Sequence, residues 1–211
     1  VTEKTASSVH KTNLRVAAIV LAAGEARRMG SAKGLLPWRG ETLLRHCVRT
    51  ALASQCDEVY IVLGAHEDAL RPEVTDLDAR VVRHENWQEG MGSSLASAAR
   101  QLPPHLDGVV VLLCDQPFVS AALIDQLIAR ADGRTMVASS YNDTIGAPAY
   151  FASTKFSELR SLSGDRGAKT LLHAQPESVE TISFPEGAFD IDDPEGYERA
   201  LAEQARAETE T

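Results

Sequence analysis

Val16 to Ala23, VAAIVLAA, is a run of eight apolar residues without a charge. Its length and its Val and Ile content favour a strand buried on both faces over a helix. The run stops at Gly24, a second glycine follows at Gly30, and Arg27, Arg28 and Lys33 lie between and just beyond them. A buried strand running into a glycine loop with clustered cations is how an α/β protein holds phosphate. The glycines let backbone N–H groups approach the oxygens, and the cations neutralise them. Two familiar phosphate loops are excluded. A Walker loop needs GxxxxGK[ST], but Gly24 and Gly30 are one residue too far apart and Ser31 follows Gly30. The dinucleotide fingerprint GxGxxG fails at Gly24-Glu25-Ala26, which disfavours a nicotinamide oxidoreductase. A plain strand-to-helix turn with solvated arginines accounts for one glycine and one arginine, not for the whole string.

The rest of the chain has the rhythm such a strand needs. Leu43, Leu44, Cys47, Val48, Ala51 and Leu52 recur at helical spacing between Glu41 and Ser54. Val59 to Leu63 reads as a second strand ending in Gly64, and Arg80 to His84 as a short third. A loop over Glu85 to Ser94 leads into a helix through about Gln101. Gly108 to Cys114 is a strongly apolar strand that Asp115 ends, and Ser120 caps a helix through Ala131. Thr135 to Ser139, Gly146 to Phe151 and Ser178 to Phe184 read as later strands. Ser153 to Ser161, Ala168 to His173 and Pro194 to about Arg206 read as helices. Strands alternating with helices imply a parallel sheet with right-handed crossovers. Ligands in such sheets lie outside the carboxyl ends of the strands. Gly24, Gly64 and Asp115 all fall at those ends.

Composition removes several alternatives. The chain has 211 residues and a formal net charge of -9, which argues against nucleic acid as partner. Apolar runs fall far short of the ~20 residues a membrane span needs. Cys47, Cys56 and Cys114 have no paired spacing, which suits a reducing cytoplasm. The charge is unevenly spread. Residues 24–45 carry five cations against two acids, whereas residues 185–211 carry nine acids against two cations. The basic stretch is the glycine loop, which suits a small polyanionic ligand. Residues 1–13 read as a polar tail without the apolar stretch of a secretory signal, 14–206 as one domain, and 207–211 as a second tail.

Asp115 follows VVVLLC directly and therefore stands at the sheet rim, where a carboxylate either starts the turn or holds Mg²⁺. Asp190 and Asp192 alternate, so they share one face of an extended segment; Asp193 before Pro194 reads as a helix N-cap.

The string Leu21-Ala22-Ala23-Gly24, Arg28-Met29-Gly30, Lys33 and Leu35-Leu36-Pro37 resembles the opening signature of nucleotidyltransferases related to molybdenum cofactor cytidylyltransferase and its guanylyl relatives. The resemblance spans about residues 15 to 201, with motifs in family order. The family commonly has Ser where this chain has Ala26. The resemblance implies a Rossmann-like three-layer α/β sandwich of the nucleotide-diphospho-sugar transferase type, with a mostly parallel sheet. It implies that Arg28 and Lys33 hold a triphosphate, with Leu21 to Gly24, Met29, Gly30 and Gly64 around it. Cys114-Asp115-Gln116-Pro117 resembles the family's metal motif, so Asp115 is expected to bind Mg²⁺. Asp192, in a stretch like the family's DIDTPED, either joins it or serves only the loop. Gly90-Met91-Gly92-Ser93-Ser94 matches a family loop that faces base and ribose, which assigns Gly90, Gly92, Ser93 and Ser94 to the nucleotide. Gly146 and Pro148, with Gly164, Asp165, Arg166 and Lys169, match stretches that shape the acceptor's pterin pocket; by spacing alone they are loops.

The expected activity is Mg²⁺-dependent transfer of CMP from CTP to molybdopterin, releasing pyrophosphate. The alternatives are GTP or another phosphorylated acceptor, and a non-catalytic carrier of the cofactor. The expected partners are CTP or GTP, a molybdopterin-type acceptor, and a molybdoenzyme or its maturation chaperone, in the cytoplasm. Attack on an α-phosphate asks the protein mainly for positioning and charge neutralisation. That agrees with the absence of any Ser-His-Asp or Cys-His pattern.

Overall fold

The computed structural model describes residues 13–131, 134–165 and 167–209, with Arg27 and Glu208 by their backbone only. Of the expected tail over residues 1–13, residues 1–12 lie outside them. The strands are β1 (Val16–Ala22), β2 (Pro37–Trp38), β3 (Glu41–Thr42), β4 (Glu58–Leu63), β5 (Arg80–Arg83), β6 (Gly108–Leu113), β7 (Met136–Tyr141), β8 (Thr144–Ala152) and β9 (Val179–Ser183). The helices are α1 (Leu43–Leu52), α2 (Glu67–Leu70), α3 (Met91–Ala99), α4 (Ala121–Arg130), α5 (Phe156–Arg160), α6 (Lys169–Ala174) and α7 (Pro194–Thr209).

Seven strands form one sheet in the order β5-β4-β1-β6-β8-β7-β9, and β2 with β3 makes a small separate ribbon. The first four strands in that order are mutually parallel. β8 runs antiparallel to both its neighbours, β6 and β7, and β9 returns parallel to β7. The expected mostly parallel α/β sandwich is thus the observed one.

β1 shows why its sequence carries no polar alternation. Val16, Ala18 and Val20 face one core with Leu44, Val48, Ile124 and Leu127 of α1 and α4. Ala17, Ile19 and Leu21 face the other with Leu95, Ala98 and Ala99 of α3 and Leu159 of α5. Val16 to Val20 have no exposed surface at all, because helices cover both faces. The amino end of β1 is held by acids on the adjoining loops: Val16 N donates to Asp57 Oδ2 and Arg15 N to Asp107 Oδ2, each at 2.8 Å. The carboxyl end carries no such clamp and opens into the rim loops.

Local caps follow the sequence. Ser120 Oγ accepts from Leu123 N at 3.2 Å, and Thr42 Oγ1 accepts from Arg45 N. Three details differ from the expected pattern. α3 begins at Met91, ahead of the serines, with Gly90 at its cap. The stretch after β8 divides into a 3-10 turn over Ser153–Lys155 and then α5. α7 continues past Arg206 to Thr209. The β2–β3 ribbon escaped notice because two-residue strands have no periodicity to read. Among the described residues, no helix is long and apolar enough to cross a membrane.

Ile19 is buried from both neighbouring strands outward, so Ile19→Ala should cost roughly 2–5 kcal/mol of unfolding free energy. Urea denaturation checks this: the midpoint should fall while the slope stays constant.

Candidate active site

β1 delivers Ala23 and Gly24 to the carboxyl rim, beside the end of β4. There Gly64 makes a close approach: a Cβ on it would lie 2.7 Å from Trp87 Cβ and 2.8 Å from the Ala23 carbonyl oxygen. Ala65 N then donates to that same Ala23 oxygen at 3.1 Å. Beyond Gly24 the chain makes two 3-10 turns, Arg27–Met29 and Lys33–Leu35. Left-handed backbone at Ala26 (φ 52°) and Gly30 (φ 67°) brackets the first of them. The folding-back this produces aims the Lys33 side chain at the end of β6.

Lys33 Nζ donates to Asp115 Oδ2 at 2.8 Å and to Asp192 Oδ1 at 2.9 Å. Arg28 Nη2 donates to the other Asp192 oxygen, Oδ2, at 2.8 Å. The Lys33 and Asp115 side chains are mostly buried, at 19% and 24% exposure, whereas Asp192 is 45% exposed. Asp192 is brought there by the segment ahead of α7, which is pinned to the rim: Ile191 N donates to the Asp115 carbonyl at 3.0 Å, and the Ile191 side chain is fully buried. Asp193 Oδ1 accepts from Gly196 N at 2.7 Å, the capping role its position ahead of Pro194 implied.

Burial works to lower the Lys33 pKa, but Asp115 and then Asp192 outweigh it and hold the ammonium above its ordinary value. Asp192 is held below the usual carboxylate range by its hydrogen bond from Lys33, helped by Arg28. Asp190 goes the other way. Its carboxyl group is partly withdrawn from water and lies near Asp115 and Asp192, which pushes it up to about 6, against the pull of Lys33 and Gln116. Cys114 and Cys47, just behind Asp115, are buried and held as neutral thiols: burial pushes Cys47 up to about 12 and Cys114 well above its ordinary value. Neither is a nucleophile.

The cluster also fits a divalent cation. Asp115 Oδ1 is buried with no hydrogen-bond partner, an acceptor left over on a carboxylate whose other oxygen is used. A hard ion such as Mg²⁺ takes one or two carboxylates and completes its shell with water and phosphate oxygens. Asp115 and Asp192 would hold it. No group of three or more His, Cys, Asp or Glu side chains suited to a metal occurs among the described residues, so a dedicated all-protein cage is not what this rim offers.

A cavity of about 560 Å³ opens beside the cluster. Leu21 to Gly24, Arg28, Lys33, Gly90, Ser94, Asp115, Asp165 and Asp192 line it, all expected site positions. Other expected positions lie off its wall. Met29 and Gly30 shape the turn behind it, and Gly64 packs under Trp87. Gly92 N is spent on the Gly164 carbonyl at 2.8 Å. The Ser93 hydroxyl is spent on the Gly90 carbonyl and His84 Nε2, at 2.8 and 2.9 Å. The free N–H and hydroxyl expected at the start of α3 are therefore structural at Gly92 and Ser93. Gly146 and Pro148 lie on β8 beyond its pairing with β6, towards the same rim, but do not border the cavity. Lys169 opens α6 and does not border the cavity, and Arg166 lies outside the described residues. Asp165 sits against Gly90, where any Cβ would collide with Asp165 and Gly164. Sequence reasoning missed Glu25, His66, Trp87, Gln88 and Met91 as lining residues. His66, three residues past the end of β4, carried a positional signal.

Comparison with known proteins places this geometry. A family model described as "MobA-like NTP transferase domain" matches residues 18–179. "Purine catabolism protein PucB" of Bacillus subtilis is 31% identical, over 85% of this chain and 93% of that protein. "Nicotine blue oxidoreductase" of Paenarthrobacter nicotinovorans is 31% identical, over 88% and 96%. "Probable molybdenum cofactor guanylyltransferase" of Mycolicibacterium paratuberculosis is 32% identical, over 92% and 98%. Among solved structures, a homologue of Mycobacterium tuberculosis Rv0371c from a Mycobacterium strain superposes with a TM-score of 0.82 at 33% identity, covering 92% of this chain and all of that one (100%). Rv0371c itself, solved in complex with manganese, superposes with a TM-score of 0.76 at 30% identity, over 89% and 98%.

The Asp190 shift has a definite sign. Its folded-state pKa of about 6 lies above the unfolded value, so the folded state holds the proton more tightly. That contribution to stability is complete below the ordinary value of 3.8 and is lost as pH rises from there through about 6. Carbon-detected NMR of the metal-free protein should show the Asp190 carboxyl titrating there, and Asp115→Asn should move its midpoint down.

Proposed function

We infer nucleotidyl transfer from this premise: the chain belongs to the MobA-like NTP transferase family. The reading we propose is transfer of CMP from CTP to the terminal phosphate of molybdopterin, with release of pyrophosphate and with Mg²⁺ as the cofactor. The observation that carries it is the charge cluster itself: Lys33 bridges Asp115 and Asp192 beside a glycine loop, at the end of a fully buried strand.

The chemistry asks for little covalent help. A nucleoside triphosphate brings about four negative charges, and a second anion will not approach it without screening. Arg28 and Lys33 would hold the triphosphate, while backbone N–H groups of the loop from Ala23 onward approach its oxygens. Asp115 and Asp192 would hold the divalent ion, which supplies charge neutralisation at the reacting phosphate. The acceptor phosphate is already anionic, so one of its oxygens attacks the α-phosphorus without a strong base as pyrophosphate departs. The divalent ion draws further support from the manganese complex of a related protein. On this reading the protein acts in the cytoplasm and hands its product to a molybdoenzyme or its maturation chaperone.

A second reading keeps the chemistry and exchanges CTP for GTP. The relative named as a guanylyltransferase, similar over nearly all of its length, favours that possibility specifically. An oxidoreductase reading, which another relative's name would bring, lacks the GxGxxG turn. Pyrophosphate release with Mg²⁺, molybdopterin and either CTP or GTP decides between the first two, with the product identified by mass. CTP should give the cytosine dinucleotide; product from GTP alone would overturn that choice of nucleotide. Asp115→Asn should lose most of the rate, by roughly 10²-fold or more, whereas a carrier without catalysis would keep its function.

The cluster also makes a prediction about binding without metal. Asp192 ties up both Arg28 and Lys33. Asp192→Asn should therefore tighten binding of inorganic triphosphate in the presence of a chelator by roughly tenfold, measured by titration calorimetry.

A further inference from the structure

We propose that His66 is a positioning residue for the nucleotide's phosphates, acting through the Glu25 carbonyl; this rests on the nucleotidyl-transfer reading above.

The loop that follows β1 has an uncomfortable shape. Ala26 sits in left-handed backbone, φ 52° and ψ 45°, without being a glycine. A residue with a Cβ pays on the order of 1–2 kcal/mol for that conformation, so the flanking contacts must hold it. Nothing lies within 4 Å of where a Cβ on Gly24 would be, so Gly24 gains no packing there that would stiffen the turn. Met29 N closes the turn on the Ala26 carbonyl at 2.9 Å, and two further contacts come from the loop after β4. Ala65 N donates to the Ala23 carbonyl at 3.1 Å, and His66 Nε2 lies 3.0 Å from the Glu25 carbonyl. The two contacts grip alternate carbonyls of the loop from one side. His66 borders the same cavity as Gly24, Ala26, Arg28 and Lys33.

A carbonyl only accepts, so His66 Nε2 carries the proton. Both the neutral Nε2–H tautomer and the imidazolium have that proton. The tether therefore survives across the pH range, and it asks for a donor at the reach of Nε2 rather than for an acid or base. Glutamine places its amide nitrogen at about that reach; asparagine stops short. With the Glu25 carbonyl held, the peptide group joining it to Ala26 is fixed, and Gly24 to Ala26 line the cavity, where their N–H groups would meet the phosphates. These groups would contact the triphosphate equally before and during reaction, so the tether belongs to binding.

His66→Ala should raise KM for the nucleotide roughly tenfold and change kcat less than about twofold. His66→Gln should restore KM to within about twofold of the parent, and its pH profile should superimpose on the parent's. His66→Asn should behave like the alanine variant. Hydrogen exchange on the free protein gives a readout that needs no nucleotide: amides of residues 24–28 should exchange faster in His66→Ala and at parental rates in His66→Gln. Unchanged loop exchange and KM in His66→Ala overturn the proposal. So does a glutamine variant that loses kcat with one limb of its pH profile, because that marks proton transfer. If the parent binds no nucleotide, the transferase reading fails instead, and the exchange experiment alone still decides whether His66 holds the loop.

Discussion

One ammonium group between two carboxylates organises the rim of this sheet. Lys33 comes from the loop after β1, Asp115 from the end of β6, and Asp192 from the segment ahead of α7. Each acid would be costly so close to the other without a cation between them, and a partly buried ammonium would be costly without the acids. The three charges stabilise one another only when the three loops meet. The fold satisfies that condition by fixing each loop from below: a fully buried strand under the first, a strand paired to it under the second, and the buried Ile191 beside the third.

The same arrangement bears on the proposed transfer: Asp192, the partner of Arg28 and Lys33, takes up the two cations that the proposal gives to the triphosphate. Asp190 is pushed up to about 6 by burial first and by the nearby carboxylates of Asp115 and Asp192 second. On the proposed reading, a divalent ion arriving with the polyphosphate offsets about half of its charge, whereas a polyphosphate arriving alone would have to displace an internal acid.

Much of this was legible in the residues. The charge-free run at Val16 reads as a doubly covered strand because its period-two halves feed two separate cores. Gly24, Gly64 and Asp115 read as rim positions because an apolar strand must end where its carboxyl end meets solvent. Asp192 was visible as a candidate, but nothing local distinguishes an acid that reaches back to Lys33 from one that faces water. The serines of GMGSS looked free because spacing does not reveal that a preceding glycine carbonyl and His84 consume Ser93. His66 carried no periodic signal; its meaning comes from the Glu25 carbonyl on another strand's loop. Contacts between distant loops are set by tertiary packing, and periodicity records only which face of each element is covered.

The pinning of Ile191 to the Asp115 carbonyl has a temporal meaning as well as a spatial one. Asp192 lies 159 positions beyond Lys33 in the chain. During synthesis the sheet's central strands leave the ribosome long before the acid that completes their rim. A nascent chain that has folded through β8 thus displays Lys33 and Arg28 without their later counterion. The cationic face is built first, and the Asp192 carboxylate that pairs with it emerges later.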